Sequence, residues 1–129
     1  EFRKLHQWVT FSSATPLQYA LAEYLKTPAH YLGLSDFYQQ KRDLFASFFE
    51  GSRWKILPSK GSFFQCLDYS AISDEVDVDL AVRLTKELKV ASIPVSVFYE
   101  TPPADRILRF CFAKNDDMLQ EAAQRLAQL

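Results

Sequence analysis

The stretch with the clearest chemical potential is Arg106-Ile-Leu-Arg-Phe-Cys-Phe-Ala113. Aromatic and branched residues dominate it, and the asparagine and aspartates after Lys114 close it, so it reads as a strand. Strand side chains alternate between faces. Arg106, Leu108, Phe110 and Phe112 then share one face, and Ile107, Arg109 and Cys111 the other. Arg109 stands between two apolar residues, and an unpaired guanidinium buried there costs several kcal/mol, on the order found for buried ions in proteins. It calls for a carboxylate. One source is internal, with Asp68 on another predicted strand as a candidate. The other is a ligand, whose carboxylate a planar guanidinium grips with two parallel hydrogen bonds.

Other chemistries leave little trace. His6 and His30 have no Cys or His at ligand spacing, so no metal site is expected. The three glycines, Gly33, Gly51 and Gly61, form no phosphate-binding loop and no nucleophile elbow. Asp74, Glu75, Asp77 and Asp79 gather at a helix start, where the dipole favours negative charge. We read them as a solvated helix end, and Arg3, Lys4, Lys41 and Arg42 as solvated faces. No catalytic centre emerges.

The elements that would position Arg109 follow from periodicity. Residues 1–14 begin helical. Thr15-Pro16 starts a second helix, with Thr15 as cap and Leu17, Ala20, Leu21, Tyr24 and Leu25 on one face, and Pro28 closes it. Ser35-Asp36 opens a longer helix to about Glu50, stopped by Gly51. A short strand holds Trp54 and Ile56, and a second runs from Ser62 to Leu67. Val76, Leu80, Leu84 and Leu88 mark a helix by steps of four. Lys89–Ile93 reads as a strand stopped by Pro94. The segment Pro94–Asp105 is a loop, yet it carries Val95, Val97, Phe98 and Tyr99, so it must dock on something. Leu119, Ala122, Ala123, Leu126 and Leu129 define a last helix. Helices and strands segregate partly, with no repeated βαβ rhythm, which predicts an α+β fold: a small, mostly antiparallel sheet with helices on one face.

The 129 residues suit one domain with a real core. Hydrophobic residues make up 48% and charged residues 24%, which is ordinary globular material. A formal net charge of -1 gives no electrostatic reason to expect nucleic acid or an anionic membrane as partner. No secretory signal is visible, and Cys66 and Cys111 read as free core cysteines of a reducing, cytoplasmic compartment. The chain opens at Glu1-Phe2-Arg3-Lys4 inside a helical pattern, and its only methionine is Met118. We therefore expect a fragment.

Four segments together resemble the C-terminal part of pyridoxal-phosphate aminotransferases of the class I/II superfamily, in the methionine and kynurenine (glutamine) aminotransferase branch. They are Lys4-Leu-His-Gln7 with Phe11-Ser-Ser-Ala-Thr-Pro16, Pro58-Ser-Lys-Gly-Ser-Phe-Phe64, Val90-Ala-Ser-Ile-Pro-Val-Ser-Val-Phe-Tyr99, and Arg106-Ile-Leu-Arg-Phe-Cys-Phe-Ala-Lys114. The resemblance covers essentially the whole chain. It implies the family's small domain over residues 35–129, preceded over 1–34 by a helical connection from a large domain. It implies that Arg109 binds the substrate α-carboxylate and that Phe64 lines the side-chain pocket, with Phe63 on the opposite face. Phe11 and Ser12 would reach the partner subunit's active site in a homodimer, and the Pro94–Tyr99 loop would close over substrate.

The complete enzyme would use pyridoxal 5'-phosphate to exchange an amino group between an amino acid (methionine, aromatic or glutamine-like) and a 2-oxo acid. In the family the cofactor-bearing lysine lies upstream of the His-Gln segment. No catalytic residue is therefore expected in this chain, which alone should be inactive. Two other readings stay open: a non-catalytic carboxylate-binding or interaction module, and a cysteine-conjugate C–S lyase with the same cofactor.

Overall fold

A computed structural model describes residues 1–129. The chain divides into two compact units, Glu1–Asp36 and Phe37–Leu129, taken separately here.

The first unit holds α1 (Phe2–Thr10), α2 (Thr15–Leu25) and α3 (Ala29–Leu32), and none of their residues is buried. Ala14, not Thr15, occupies the cap of α2, and no side chain caps that end. Proline lacks an N–H and fits anywhere in the first turn, so the helix starts one residue earlier than Thr15-Pro16 suggests. Pro28 does not close α2, which ends at Leu25. It leads instead into α3, a turn absent from the sequence reading. The Tyr24 hydroxyl donates to the His30 carbonyl at 2.7 Å and ties that turn to α2.

The second unit is entered along α4 (Leu34–Ser47) and contains a four-stranded antiparallel sheet. Its strands are β1 (Lys55–Ile56), β2 (Phe64–Asp68), β3 (Ile93–Pro94) and β4 (Ile107–Cys111), in the order β1-β2-β4-β3. Helix α5 (Asp77–Arg83) widens into a π-turn over Leu84–Leu88, and α6 (Asp116–Leu126) ends the chain. The expected α+β architecture is observed.

Register explains the two faces. Leu67 pairs with Leu108 and Gln65 with Phe110, while Cys66 pairs with Arg109 and Phe64 with Cys111. Leu67, Leu108 and Phe110 enter one core with Phe45 of α4 and Phe49 just beyond it, Leu80 and Leu84 of α5 and its π-turn, and Leu119, Ala123 and Leu126 of α6. The helices thus cover one face. Trp54 packs edge-on against Phe110, and its indole N–H donates to the Leu126 carbonyl at 3.0 Å. Burying these apolar side chains stabilises the unit by about 1.5–3 kcal/mol each.

Several boundaries differ from expectation for local reasons. Ser62 has φ of 71°, which breaks extended backbone, so β2 begins at Phe64. Phe63 then lies outside the alternation, and its ring sits 4.7 Å from that of Phe64 instead of on the opposite face. Lys89 has φ of 58°, so the predicted Lys89–Ile93 strand shrinks to Ile93–Pro94, an edge strand that tolerates proline. Val76 precedes α5 and is exposed, and the π-turn spoils the step of four after Leu84, leaving Leu88 half-buried. Lys41 is not a solvated residue. Its side chain is only 15% exposed, donates to the Lys114 carbonyl at 3.0 Å and pairs with Asp116 at the start of α6.

Candidate carboxylate-binding site

The face of the sheet away from the helices carries Phe64 and Cys66 of β2 and Arg109 and Cys111 of β4, all half-buried. Arg109 lies at the centre of β4, paired with Cys66 on one side and Ile93 on the other. A strand flanked by partners on both edges gives Arg109 a firmly held backbone.

The guanidinium has no carboxylate partner in the chain. Its Nε is fully buried and unsatisfied. Asp68, the internal candidate, accepts the Ser70 backbone N–H at 2.8 Å instead, a bond that holds its carboxyl below the usual range. Two aromatic rings stand over the Arg109 guanidinium carbon, Phe64 at 4.2 Å and Phe98 at 5.0 Å from ring centre. Such contacts contribute about 0.5–2 kcal/mol each but accept no hydrogen bond. A buried donor without an acceptor costs about 1–3 kcal/mol. Rings therefore hold the guanidinium in place while none of its donors is hydrogen-bonded within the chain, and a carboxylate is the group that satisfies such donors in pairs.

Arg109 and Phe64, the two residues the resemblance singles out, lie together on this face. Phe11 and Ser12 belong to the first unit, in the exposed link between α1 and α2. Phe11 is 84% exposed and has φ of 49°, a strained backbone for a bulky residue.

Sequence reasoning missed three participants. Phe98 was visible only as part of an apolar loop. It ends a one-turn 3₁₀ helix, Ser96–Phe98, whose Val97 and Phe98, like the following Tyr99, remain exposed even though the Phe98 ring lies over Arg109. Asp77 is not a solvated member of the acidic cluster: it is buried and hydrogen-bonded to Ser96. Its neighbours behave otherwise, Asp74 pairing with Arg106 at 2.7 Å and Glu75 with Arg83 at 2.6 Å. Cys66, read as a core residue, lies on the Arg109 face. Burial pushes its thiol up, and the Arg109 charge opposes that rise. Both cysteines are free. The alternation of β2 held the Cys66 signal, since Cys66 is two residues from Phe64.

The open face of a small antiparallel sheet thus presents an arginine whose charge no residue of the chain neutralises. The model of the class I and II aminotransferases matches residues 2–126, and the chain belongs to that family. It is 49% identical to methionine aminotransferase of Escherichia coli, over 100% of this chain and 34% of that protein. It is 31% identical to kynurenine–oxoglutarate transaminase 3 of Rattus norvegicus, over 95% of this chain and 31% of the relative. The crystal structure of YbdL from Escherichia coli, for which a methionine aminotransferase function was identified, superimposes with a TM-score of 0.89 at 49% identity, covering 98% of this chain and 34% of that one. The chain thus spans about a third of the length of the curated relatives it matches.

Family members depend on pyridoxal phosphate. The residues gathered here fit the substrate end of such a site rather than the cofactor: the orphaned Nε and its aromatic cover suit a carboxylate on an organic acid.

Proposed function

We propose that the protein carrying this chain is a pyridoxal-phosphate aminotransferase, and that this segment provides its substrate-carboxylate clamp. The observation that carries the reading is Arg109, with a buried, unpartnered Nε–H beneath two aromatic rings. Arg109 binds the α-carboxylate of the amino acid, and afterwards that of the 2-oxo acid, through two parallel hydrogen bonds. Fixing that end orients the α-carbon, which is where proximity lowers the barrier. Phe64 and Phe98 keep water from the guanidinium and offer apolar surface to the side chain. Pyridoxal phosphate, when bound, supplies the electron sink for amino-group exchange. The aromatic surroundings support a donor such as methionine or an aromatic amino acid, and the similarity to methionine and kynurenine aminotransferases supports the same class.

On this reading residues 35–129 form the small domain, and residues 1–34 are the helical connection to a large domain. The enzyme works as a homodimer in which the strained, exposed Phe11 and its neighbour Ser12 reach the partner's site. Two free cysteines suit a cytoplasmic location. No helix is long and apolar enough to cross a membrane.

The test is Arg109→Lys in the full-length protein. An ammonium keeps the charge but cannot reproduce the fork. Steady-state assays should show kcat/KM toward an amino acid reduced about a hundredfold or more, the scale of breaking a buried charge pair. Near-normal turnover would remove Arg109 from the site.

A further inference from the structure

Asp77 is 5% exposed, and both of its carboxylate oxygens are engaged by one residue 19 positions away. Oδ2 accepts the Ser96 backbone N–H at 2.8 Å, and Oδ1 accepts the Ser96 hydroxyl at 2.6 Å. Ser96 opens the 3₁₀ turn that ends at Phe98. Between Val95 and Asp105, these are the only hydrogen bonds that tie the segment to the rest of the chain; the two others in it, Phe98 N–H to Val95 and Tyr99 N–H to Ser96, are internal to the turn. Apolar packing does not replace them. Phe98 is 61% exposed, and Val97 and Tyr99 are exposed beside it. A buried carboxylate spent on a single serine thus fixes a turn that little else fixes, and the far end of that turn stands 5.0 Å from the guanidinium of Arg109.

We infer that Asp77 is a positioning residue for the carboxylate clamp: acting through Ser96, it fixes the Ser96–Phe98 turn so that Phe98 stands over Arg109 before the substrate arrives. The inference rests on the reading of Arg109 as the carboxylate ligand. Preorganisation of this kind raises affinity because the turn is ordered on folding instead of on binding. It also explains why the acidic cluster spends one member in the interior, where a carboxylate is tolerated only with its oxygens satisfied.

The experiment measures binding of 3-phenylpropionate to the full-length holoenzyme by calorimetry. This probe has a carboxylate and an apolar tail but no amino group, so it cannot enter the reaction. Ser96→Ala removes the hydroxyl bond and keeps the backbone bond, and should weaken binding several-fold. Asp77→Ala removes both and should weaken it about tenfold, the scale of one charge-assisted hydrogen bond. Asp77→Asn retains an acceptor for the Ser96 N–H and should recover most of the loss. Limited proteolysis between Val95 and Asp105 should quicken in Asp77→Ala and in Ser96→Ala.

The decisive readout is a double-mutant cycle with Phe98→Ala. If Asp77 acts through Phe98, the combined variant binds no worse than the weaker single variant. Additive losses would overturn the inference, as would unchanged affinity in both Ser96→Ala and Asp77→Ala while Arg109→Lys abolishes binding. Unchanged affinity in Arg109→Lys would instead overturn the carboxylate reading itself, and the inference with it.

Discussion

Arg109 carries a charge that the chain does not neutralise, and this single fact orders the other residues around it. The need for a partner was legible from its place in an alternating strand. That the partner is not Asp68 was not legible, because Asp68 satisfies itself two residues away at Ser70, a turn contact that leaves no mark in periodicity. Asp77 shows the same limit from the other side. In sequence it is one of four acidic residues, and only the fold brings Ser96 to it.

Tyr69 gives a residue-scale prediction. It is fully buried, and its hydroxyl donates to the Glu75 carbonyl at 2.9 Å. Burial, with the charge of Asp77 adding to it, pushes its phenol up to about 12. The unfolded phenol ionises near pH 10, so between about pH 10 and 12 the folded state holds the extra proton and stability falls with pH, at a slope of up to about 1.4 kcal/mol per unit. Tyr69→Phe loses a hydrogen bond worth about 1 kcal/mol but removes that slope. Urea midpoints measured at rising pH should show the variant less stable at neutrality and the gap closing above about pH 10. A gap constant across that range would mean Tyr69 ionises freely.

At the scale of elements, β4 was read almost correctly, since its alternation is regular and both flanks are clear. The weaker strands were not. β3 is two residues long because Lys89 leaves the extended region, a backbone event that its side chain does not announce. The π-turn at Leu84–Leu88 escaped because its leucines keep helical spacing while the backbone widens. β4 is hydrogen-bonded on both edges, whereas the segment after Pro94 hangs on Asp77. Native-state hydrogen exchange should reflect this difference. Amides of Leu67, Leu108 and Phe110 should be among the slowest in the chain, and those beyond Phe98 as far as Asp105 among the fastest. Comparable protection in both would show that the segment is held by more than one carboxylate.

At the scale of the molecule, the family was legible from four separated segments, and the helices-on-one-face architecture from the order of elements. This chain matches a third of its relatives' length, and the activity proposed above is that of the whole protein. Incubated with pyridoxal phosphate and then borohydride, the chain by itself should take up no stoichiometric single-site adduct in intact mass. One clean adduct on one lysine would place cofactor chemistry within these residues.

The contrast between a strand bonded on both edges and a turn held by one serine has a mechanical consequence. The site is a vice with one fixed jaw and one sprung jaw. The backbone of Arg109 cannot shift without unzipping the sheet, so on the proposed reading every acid would be gripped at the same point, whereas Phe98 would yield to a larger side chain and return after a smaller one.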